Sequence, residues 1–374
     1  MRVDSIHLHH IRIPLRTPFQ HALHTRRAAE AVIVCVRSDD GTVGYGEIVP
    51  RPYLTGESID SVLVEHAPAV AAAFIDRYFE TKEELLEALS AQLDRTGREL
   101  ATWCGFELAM LDLGGRVFGF PAGEVVGRPA GPDLEGGIVI GFEVPTESLG
   151  RHCAMLRLGG KRHVKVKVGL ADDLRRIEIV FDTLGQDAVL RIDANGAWSA
   201  DAAIEALRPM VRFGIQSVEQ PVPADDLLGM RRVREEVGLP VMADESLCTL
   251  DDAKRLVDAQ AADIFNIRLA KCGGFGGSMR LVRFAEEAKL GCHLGTLVGE
   301  TGILLRAAEI FGRRVGTFAC LEGKGQNRFL LEQDIVEDGE TDDDSTECGR
   351  TTGLGLTVDS RRIARYTIAE RVLA

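Results

Sequence analysis

The spacing of apolar residues changes character partway along the chain. Residues 6–14 and 31–38 alternate or run apolar as strands do, Asp39-Asp40-Gly41-Thr42 has the composition of a hairpin turn, and Val43–Ile48 supplies a returning strand. Helical periodicity follows over residues 59–76, 82–94 and 103–116. These elements predict a small sheet with helices packed beside it. From about Gly137 the rhythm becomes strand, helix, strand, helix. Strands are expected at 164–168, 188–192, 215–218, Val241–Ala243, 264–269, Gly291–Leu294 and 317–321. Helices are expected at 172–184, 200–213, 226–237, 250–260, 277–288 and 303–311. Alternation over so many units implies a parallel sheet with helices outside it, either open or closed. After Leu321 the repeat stops, and Gly353-Leu-Gly-Leu-Thr-Val reads as one more strand that rejoins the N-terminal region.

Four of the strand segments end on or beside a charged residue: Lys167, Asp193, Glu219 and Asp244, at intervals of 26, 26 and 25 residues. That interval is the length of one strand plus one helix, so the four sit at the same end of consecutive parallel strands. Residues on so many successive strand ends can meet only if the strands form a ring, which selects a closed barrel. Taken singly, each has an ordinary explanation: Asp193 and Asp244 as helix caps, Glu219 as a surface acid, the lysines as partners in a salt-bridged strand end. Gathered at one place, three carboxylates are expensive to bury unless neutralised, and a divalent cation is the obvious candidate. The next position in the series, 24 residues on, is Arg268.

The bulk properties narrow the partners. At 374 residues the chain exceeds the usual single-core size, so a large domain with a smaller one attached is expected. A net charge of −13 argues against a nucleic-acid or anionic-membrane surface and favours small-molecule chemistry. The eight cysteines form neither a Cys-x-x-Cys pair nor a zinc spacing, and read as reduced packing residues of a cytoplasmic protein. Met1-Arg-Val-Asp-Ser-Ile-His-Leu-His-His carries no signal-peptide run, and no segment approaches membrane-spanning length. The acid-rich stretch 332–347 reads as a solvated loop rather than a second metal site.

The strings Lys165-Val-Lys167, Asp193-Ala-Asn195-Gly, Val218-Glu219-Gln220-Pro221, Ala243-Asp244-Glu245-Ser246 and Asn266-Ile-Arg-Leu-Ala-Lys-Cys-Gly273-Gly274 resemble the enolase superfamily, in its muconate-lactonizing-enzyme branch. That branch also contains dipeptide epimerases and o-succinylbenzoate synthases. Arg16-Thr-Pro-Phe19 and Tyr45-Gly-Glu-Ile48 are similar to the family's capping domain. The resemblance implies an α/β fold, a modified TIM barrel (β/α)7β with an α+β capping domain. Residues 1–125 would form the cap, 126–322 the barrel, and 323–374 a segment returning to the cap. It further implies that Asp193, Glu219 and Asp244 bind Mg²⁺, with Mn²⁺ as a substitute, and that the metal binds a substrate carboxylate. Lys167 would be the base that removes the proton alpha to that carboxylate, the arrangement known for enolase-superfamily sites. Lys165, on the same strand face, would disfavour the protonated form of Lys167. A homo-oligomer is expected by family analogy.

The chain departs from the branch at Arg268, where the epimerases carry a second lysine. Arginine stays protonated and cannot readily remove a proton, although it can hold an enolate. This favours chemistry run by one base, syn elimination or cycloisomerisation, with Arg268 in the site. Amino-acid or dipeptide epimerisation is the alternative, and a non-catalytic carboxylate-binding protein is a third reading. Strand alternation turns Lys271 away from the site unless a bulge intervenes. The last barrel strand reads Cys320-Leu321-Glu322 where dipeptide epimerases carry Asp-x-Asp, and His293 reads as a buried strand histidine. Lys324 and Arg328 are candidates for a second substrate carboxylate, with solvent exposure as the alternative. Asn195, Glu245, Glu300, Glu322, Phe19 and Tyr53 are the candidate substrate contacts, the last two on loops 19–27 and 53–57 that would close over the site.

Overall fold

Two sheets divide the chain. In the computed structural model, which describes residues 1–20, 25–337 and 351–374, four antiparallel strands form one sheet and eight parallel strands close into a barrel. The first sheet runs in the order β12-β1-β2-β3, with β1 Val3–Gln20, β2 Thr25–Ser38, β3 Val43–Ile48 and β12 Thr367–Leu373. Alternation buries Ile6 and Leu8 of β1 beside Val36 and Val34 of β2 on one face of this sheet, and the helix Leu100–Phe118 packs against β2 and β3. That helix lies unusually close to β3. A Cβ added to Gly46 would stand 1.9 Å from the carbonyl oxygen of Gly105, and one added to Gly44 would stand 2.3 Å from that of Ala109. Only glycine permits this approach.

The expected helix at 59–76 is broken into an α turn Ile59–Ser61, a π turn Val62–His66 and a second α segment Ala67–Ala71. Pro68 enters the first turn of the last segment. Having no N–H to donate to the preceding turn, it shifts the hydrogen-bond register there. Helices Lys82–Leu93 and Leu100–Phe118 follow close to their expected positions.

The barrel strands run in the circular order β4 to β11: Glu135–Ile140, His163–Lys167, Val189–Asp193, Ser217–Glu219, Val241–Ala243, Ile264–Ile267, Gly291–Leu294 and Cys320–Glu322. Every neighbouring pair is parallel, as helical crossovers require. Seven helical connections join eight strands, the (β/α)7β pattern. The chain then returns to the first sheet, but not through residues 353–358. Gly353 and Val358 make only isolated bridges, to Pro121 and Val336, and the returning strand is β12. The acids Asp338, Glu340, Asp342, Asp343 and Asp344 lie outside the described residues, as do residues 21–24 of the first lid loop.

Cap and barrel meet through buried side chains. Glu47, at the end of β3, accepts hydrogen bonds from Thr301 N and Oγ1, both at 2.8 Å, and from Leu304 N at 3.2 Å. These are the otherwise unsatisfied donors at the start of the barrel helix Gly302–Val315. Glu57 does the same for the cap helix Leu100–Phe118, accepting from Ala101 N, Thr102 N and Thr102 Oγ1. At the hairpin tip, Phe142 N donates to Gln20 O at 3.3 Å, which seats β1 on the loop after β4.

Burial pushes the Glu47 carboxyl up to about 8 from its ordinary 4.5, against the pull of its hydrogen bonds. A carboxyl raised in the folded state contributes stability that is full below about 4.5 and is lost as pH rises through about 8. Thermal melts from pH 5 to 9 are therefore expected to fall less steeply for Glu47→Gln than for the wild type. Glu47→Ala, which strands the Thr301 and Leu304 donors, is expected to cost about 2–4 kcal/mol, measured as a lowered melting temperature at pH 7.

Candidate active site

Strand register sets the site. Lys167 on β5 is the Cα partner of Asp193 on β6, and Asp193 is the partner of Glu219 on β7, so three of the charged residues stand side by side at one level of the barrel. Asp244 follows the last residue of β8, and Arg268 follows the last residue of β9. All five side chains are buried, Lys167 and Arg268 retaining 6% and 8% exposure and the three acids 1% or less. The barrel thus collects a dense group of opposite charges at the carboxyl ends of its strands, where this fold places its chemistry.

Each acid has named cationic partners. Asp193 Oδ2 accepts from Lys167 Nζ at 2.6 Å and faces Lys165 Nζ at 3.1 Å, while its Oδ1 accepts from Asn195 N. Glu219 Oε2 accepts from Lys165 at 3.1 Å; its Oε1 accepts from Asn266 Nδ2 and Arg268 Nη2, both at 2.8 Å. The same Arg268 Nη2 lies 2.7 Å from Asp244 Oδ2, so one guanidinium bridges Glu219 and Asp244. Lys167 completes its contacts by donating to Asn195 Oδ1 at 2.7 Å.

The electrostatics follow from these contacts. Burial alone would drive protons off Lys165 and Arg268. The facing carboxylates outweigh it, Glu219, Glu322 and Asp193 for the lysine and Asp244 and Glu219 for the arginine, and hold both cations protonated. Burial likewise opposes ionisation of Asp193, but Lys167 and Lys165 keep it an anion. Glu219 is pushed up to about 7 by burial and by Asp193, and Glu245 to about 8 by burial and by Asp244. The protein's own cations therefore leave negative charge around Glu219 and Glu245 incompletely balanced.

Polar atoms without hydrogen bonds cluster at the same place: Asp244 Oδ1, Glu245 Oε2, Asn266 Oδ1 and Arg268 Nε. Asp244 Oδ1 has an ionic neighbour, Lys271 Nζ, at 3.4 Å. Gly295 makes room beside them, since a Cβ there would lie 2.4 Å from Asn266 Oδ1 and 3.0 Å from Arg268 Nε. Hard anionic oxygens on three successive strand ends, one of which, Asp244 Oδ1, accepts no hydrogen bond, suit a divalent cation with oxygen ligands. Asp193, Glu219 and Asp244 are the residues that could hold it. Arg268 competes for two of them.

Several further candidates are held by the protein's own groups. Glu322 turns into the barrel, where Oε2 accepts from Lys165 at 2.6 Å and Oε1 lies 3.4 Å from Arg191 Nη2. Its carboxylate thus faces two cations of the protein, Lys165 and Arg191. Lys271 is not on a strand, because the chain enters a short helix, Leu269–Cys272, directly after Arg268. Its fully buried Nζ donates to the backbone carbonyls of Asp244, at 2.8 Å, and Leu247. Glu300 folds onto its own loop, accepting from Leu297 N at 2.8 Å. Lys324 is engaged by Asp133 and the carbonyl of Leu134, outside the barrel mouth. His293 is buried on β10 with Nε2 2.6 Å from Arg191 Nη1, and burial together with Arg191 presses it down to about 3, so it stays neutral.

Asn195, with a left-handed φ of 47°, links Lys167 to Glu245, donating from Nδ2 to Glu245 Oε1 at 3.1 Å. Tyr53 lines a cleft of about 260 Å³ between residues 53–55 of the cap and the barrel loop carrying Glu245, Ser246 and Cys248. Phe19 is buried near the tip of the cap hairpin, paired across it with Arg26. Three positioning residues had no assigned role in the sequence: Gln220, Asn266 and Arg191. Gln220 Oε1 accepts from Asp244 N, Ser246 N and Ser246 Oγ, pinning the loop that carries Asp244. Asn266 stands two residues before Arg268, on the same face, a signal that alternation could have supplied.

The comparisons with known proteins agree with this geometry. Residues 5–127 match the mandelate racemase / muconate lactonizing enzyme N-terminal domain, and residues 149–362 match the enolase C-terminal domain-like family. The N-succinyl-L-Arg/Lys racemase of Bacillus cereus is 31% identical over 302 residues, 80% of each chain, and its crystal structure superposes with a TM-score of 0.87 over the whole of both chains. Muconate cycloisomerase 1 of Pseudomonas putida is 30% identical, covering 98% of this chain and 97% of its own. The dipeptide epimerase of Enterococcus faecalis, solved in complex with Mg and the dipeptide L-Leu-L-Tyr, superposes with a TM-score of 0.83 at 28% identity, over 96% of this chain and 100% of that one. The chain is an enzyme of the enolase superfamily and belongs to its mandelate racemase / muconate lactonizing enzyme family.

Proposed function

We propose that this enzyme removes the proton alpha to a substrate carboxylate with Lys167 and completes its reaction on that same face, by syn elimination or cycloisomerisation. The observation that carries this reading is Arg268, buried, held protonated, and bridged between Glu219 and Asp244. A racemase that works with two bases needs a proton acceptor on each side of the substrate, and a guanidinium fixed in this way accepts none.

An alpha proton is too weakly acidic to remove unless the resulting dianion is stabilised. Asp193, Glu219 and Asp244 would hold Mg²⁺, or Mn²⁺ in its place, and the bound ion would supply that stabilisation at the carboxylate oxygens. Lys167, held by Asp193 and Asn195, takes the proton and returns it as the acid on the same face. Arg268 supplies fixed positive charge at the edge of the site. Asn195, which accepts from Lys167 and donates to Glu245, borders with Glu245 the side where substrate would enter. A small carboxylate substrate, a cytoplasmic setting and a homo-oligomer without nucleic-acid or membrane partners complete the proposal. The acidic composition and the free state of the seven cysteines among the described residues support the setting, and no described helix is long and apolar enough to cross a membrane.

Epimerisation is the second reading, favoured by relatives whose names are racemase and epimerase. It needs a second proton carrier opposite Lys167. Lys271 does not meet that need, because its Nζ is buried behind Asp244 against backbone carbonyls.

A panel of dipeptides, N-acylamino acids, muconates and sugar acids, followed by NMR in D₂O, separates the two readings. Elimination, cyclisation or exchange of a single stereoisomer is expected; deuterium entering both stereoisomers with inversion would establish the epimerase. Lys167→Ala is expected to slow turnover about 10²–10⁴-fold while Mg²⁺ binding, read by calorimetry, persists; undiminished exchange would exclude Lys167 as the base. Arg268→Lys is expected to admit measurable inversion. Chelation of divalent ions is expected to abolish turnover, with recovery on adding Mg²⁺.

A further inference from the structure

On the cap, far along the chain from the barrel ligands, His7, His9 and Glu370 form a second group of ligating side chains. His7 and His9 alternate onto one face of β1. Glu370 of β12 is the cross-strand partner of His9 and the diagonal neighbour of His7. The two imidazole rings lie nearly parallel, with centroids 6.3 Å apart and planes 16° from each other. His7 Nδ1 is 3.3 Å and His9 Nε2 3.9 Å from the same oxygen, Glu370 Oε1, and one ligand atom from each residue falls within 4.8 Å of the others. His10 does not join them, because alternation turns it to the opposite face.

We propose that His7, His9 and Glu370 bind a late first-row divalent cation of the zinc type, separate from the barrel site. Two nitrogens and a carboxylate oxygen are a donor set suited to zinc, which takes three protein ligands and leaves a position open where a site is exposed. Ligand atoms around a tetrahedral ion with bonds of about 2.0–2.2 Å stand roughly 3.3–3.6 Å apart. His7 and Glu370 already meet that spacing; His9 stands 3.9 Å from the same oxygen, and the two imidazole nitrogens, within 4.8 Å, come to it by side-chain rotation. Glu370 is 47% exposed, so the open position faces solvent and takes water. Imidazole nitrogens also separate the two sites chemically, since Mg²⁺ prefers an all-oxygen shell.

The position gives the ion a consequence. Among the described residues β12 is an edge strand paired to β1 alone, and Glu370 is its contribution to the group. A cation held by both strands would cross-link the chain's last strand to its first.

The test uses untagged, metal-stripped protein with saturating Mg²⁺ to occupy the barrel, titrated with Co²⁺ and read by visible absorption. Expected is about one Co²⁺ per chain with the intense bands of a four- or five-coordinate ion, displaced by Zn²⁺ and absent in His7→Gln/His9→Gln. The same bands should persist in Asp244→Asn, whose change lies in the barrel. Glu370→Gln is expected to weaken the site at least roughly tenfold; being an exposed change, it carries the test if the histidine double variant fails to fold. Bands that survive in either cap variant at unchanged affinity would overturn the proposal. So would a near-ultraviolet thiolate band, which would place the ion on a cysteine such as Cys35 opposite His7, or the weak bands of six-coordinate cobalt alone.

Discussion

The barrel mouth depends on a balance of buried charge. Asp193, Glu219, Asp244 and Glu322 are removed from water, as are Lys165, Lys167, Arg191 and Arg268. Each isolated ion would cost several kcal/mol to desolvate, and removing one partner of a buried pair leaves the other uncompensated. The members are therefore not independent. Lys165 touches Asp193, Glu219 and Glu322 at once, and Arg268 touches Glu219 and Asp244. No strand end in this group can change its charge without disturbing the two beside it. That coupling explains why so much of the site consists of residues that never reach substrate: Gln220 and Lys271 hold the Asp244 loop, and Arg191 closes the charge beneath Glu322.

Within that balance, lysine and arginine at position 268 are not equivalent. A lysine there would offer one flexible ammonium, able to shed its proton when desolvated. The arginine presents a planar group with several donors, and its Nη2 is shared between two carboxylates of the proposed metal site. The carboxylates raise its hold on the proton beyond what burial can reverse. Its effect reaches the metal as well as the proton. A cation entering between Glu219 and Asp244 meets a guanidinium already engaged with both oxygens, so metal affinity and the orientation of Arg268 are linked.

How much of this was legible in the sequence depended on whether a local period survived tertiary contact. The ladder from Lys167 to Asp244 was legible because helix and strand lengths in a barrel are nearly constant, and the interval alone placed the residues on one rim. Strand β4 and the first barrel helix, Thr146–Leu158, carry no charged residue of the series, and only the change of rhythm near Gly137, which lies within β4, marks them in the sequence. A strand's period of two does not reach Lys271, because Arg268 is the last extended residue and a helix begins at Leu269. Residues 353–358 alternate like a strand yet pair only at two isolated bridges; the contacts that make a strand are not in the pattern itself. The direction of Glu322 was invisible for a related reason. Whether a strand-end acid faces inward to Lys165 or outward to a ligand is decided by a residue 157 positions away.

The cap and the barrel are joined by a different device from the charge balance at the barrel mouth, buried glutamates on backbone donors. Glu57 ends the loop that carries Tyr53 and is fixed to the start of the helix Leu100–Phe118. Glu107, on that helix, accepts from Phe275 N and Gly276 N at the start of the barrel helix Gly274–Ala288, and burial lifts its carboxyl to about 7. That barrel helix follows directly from the turn bearing Arg268 and Lys271. The loop over the cleft beside Glu245 is thus tied, through two glutamates and one rigid helix, to the segment that sets Arg268. A substitution in the cap that displaces this helix would move substrate contacts and site charge together. On the proposed function, variation in substrate would then fall to residues lining the cleft, such as Tyr53, while Glu57, Glu107 and the close-packed glycines beside that helix keep cap and barrel in register.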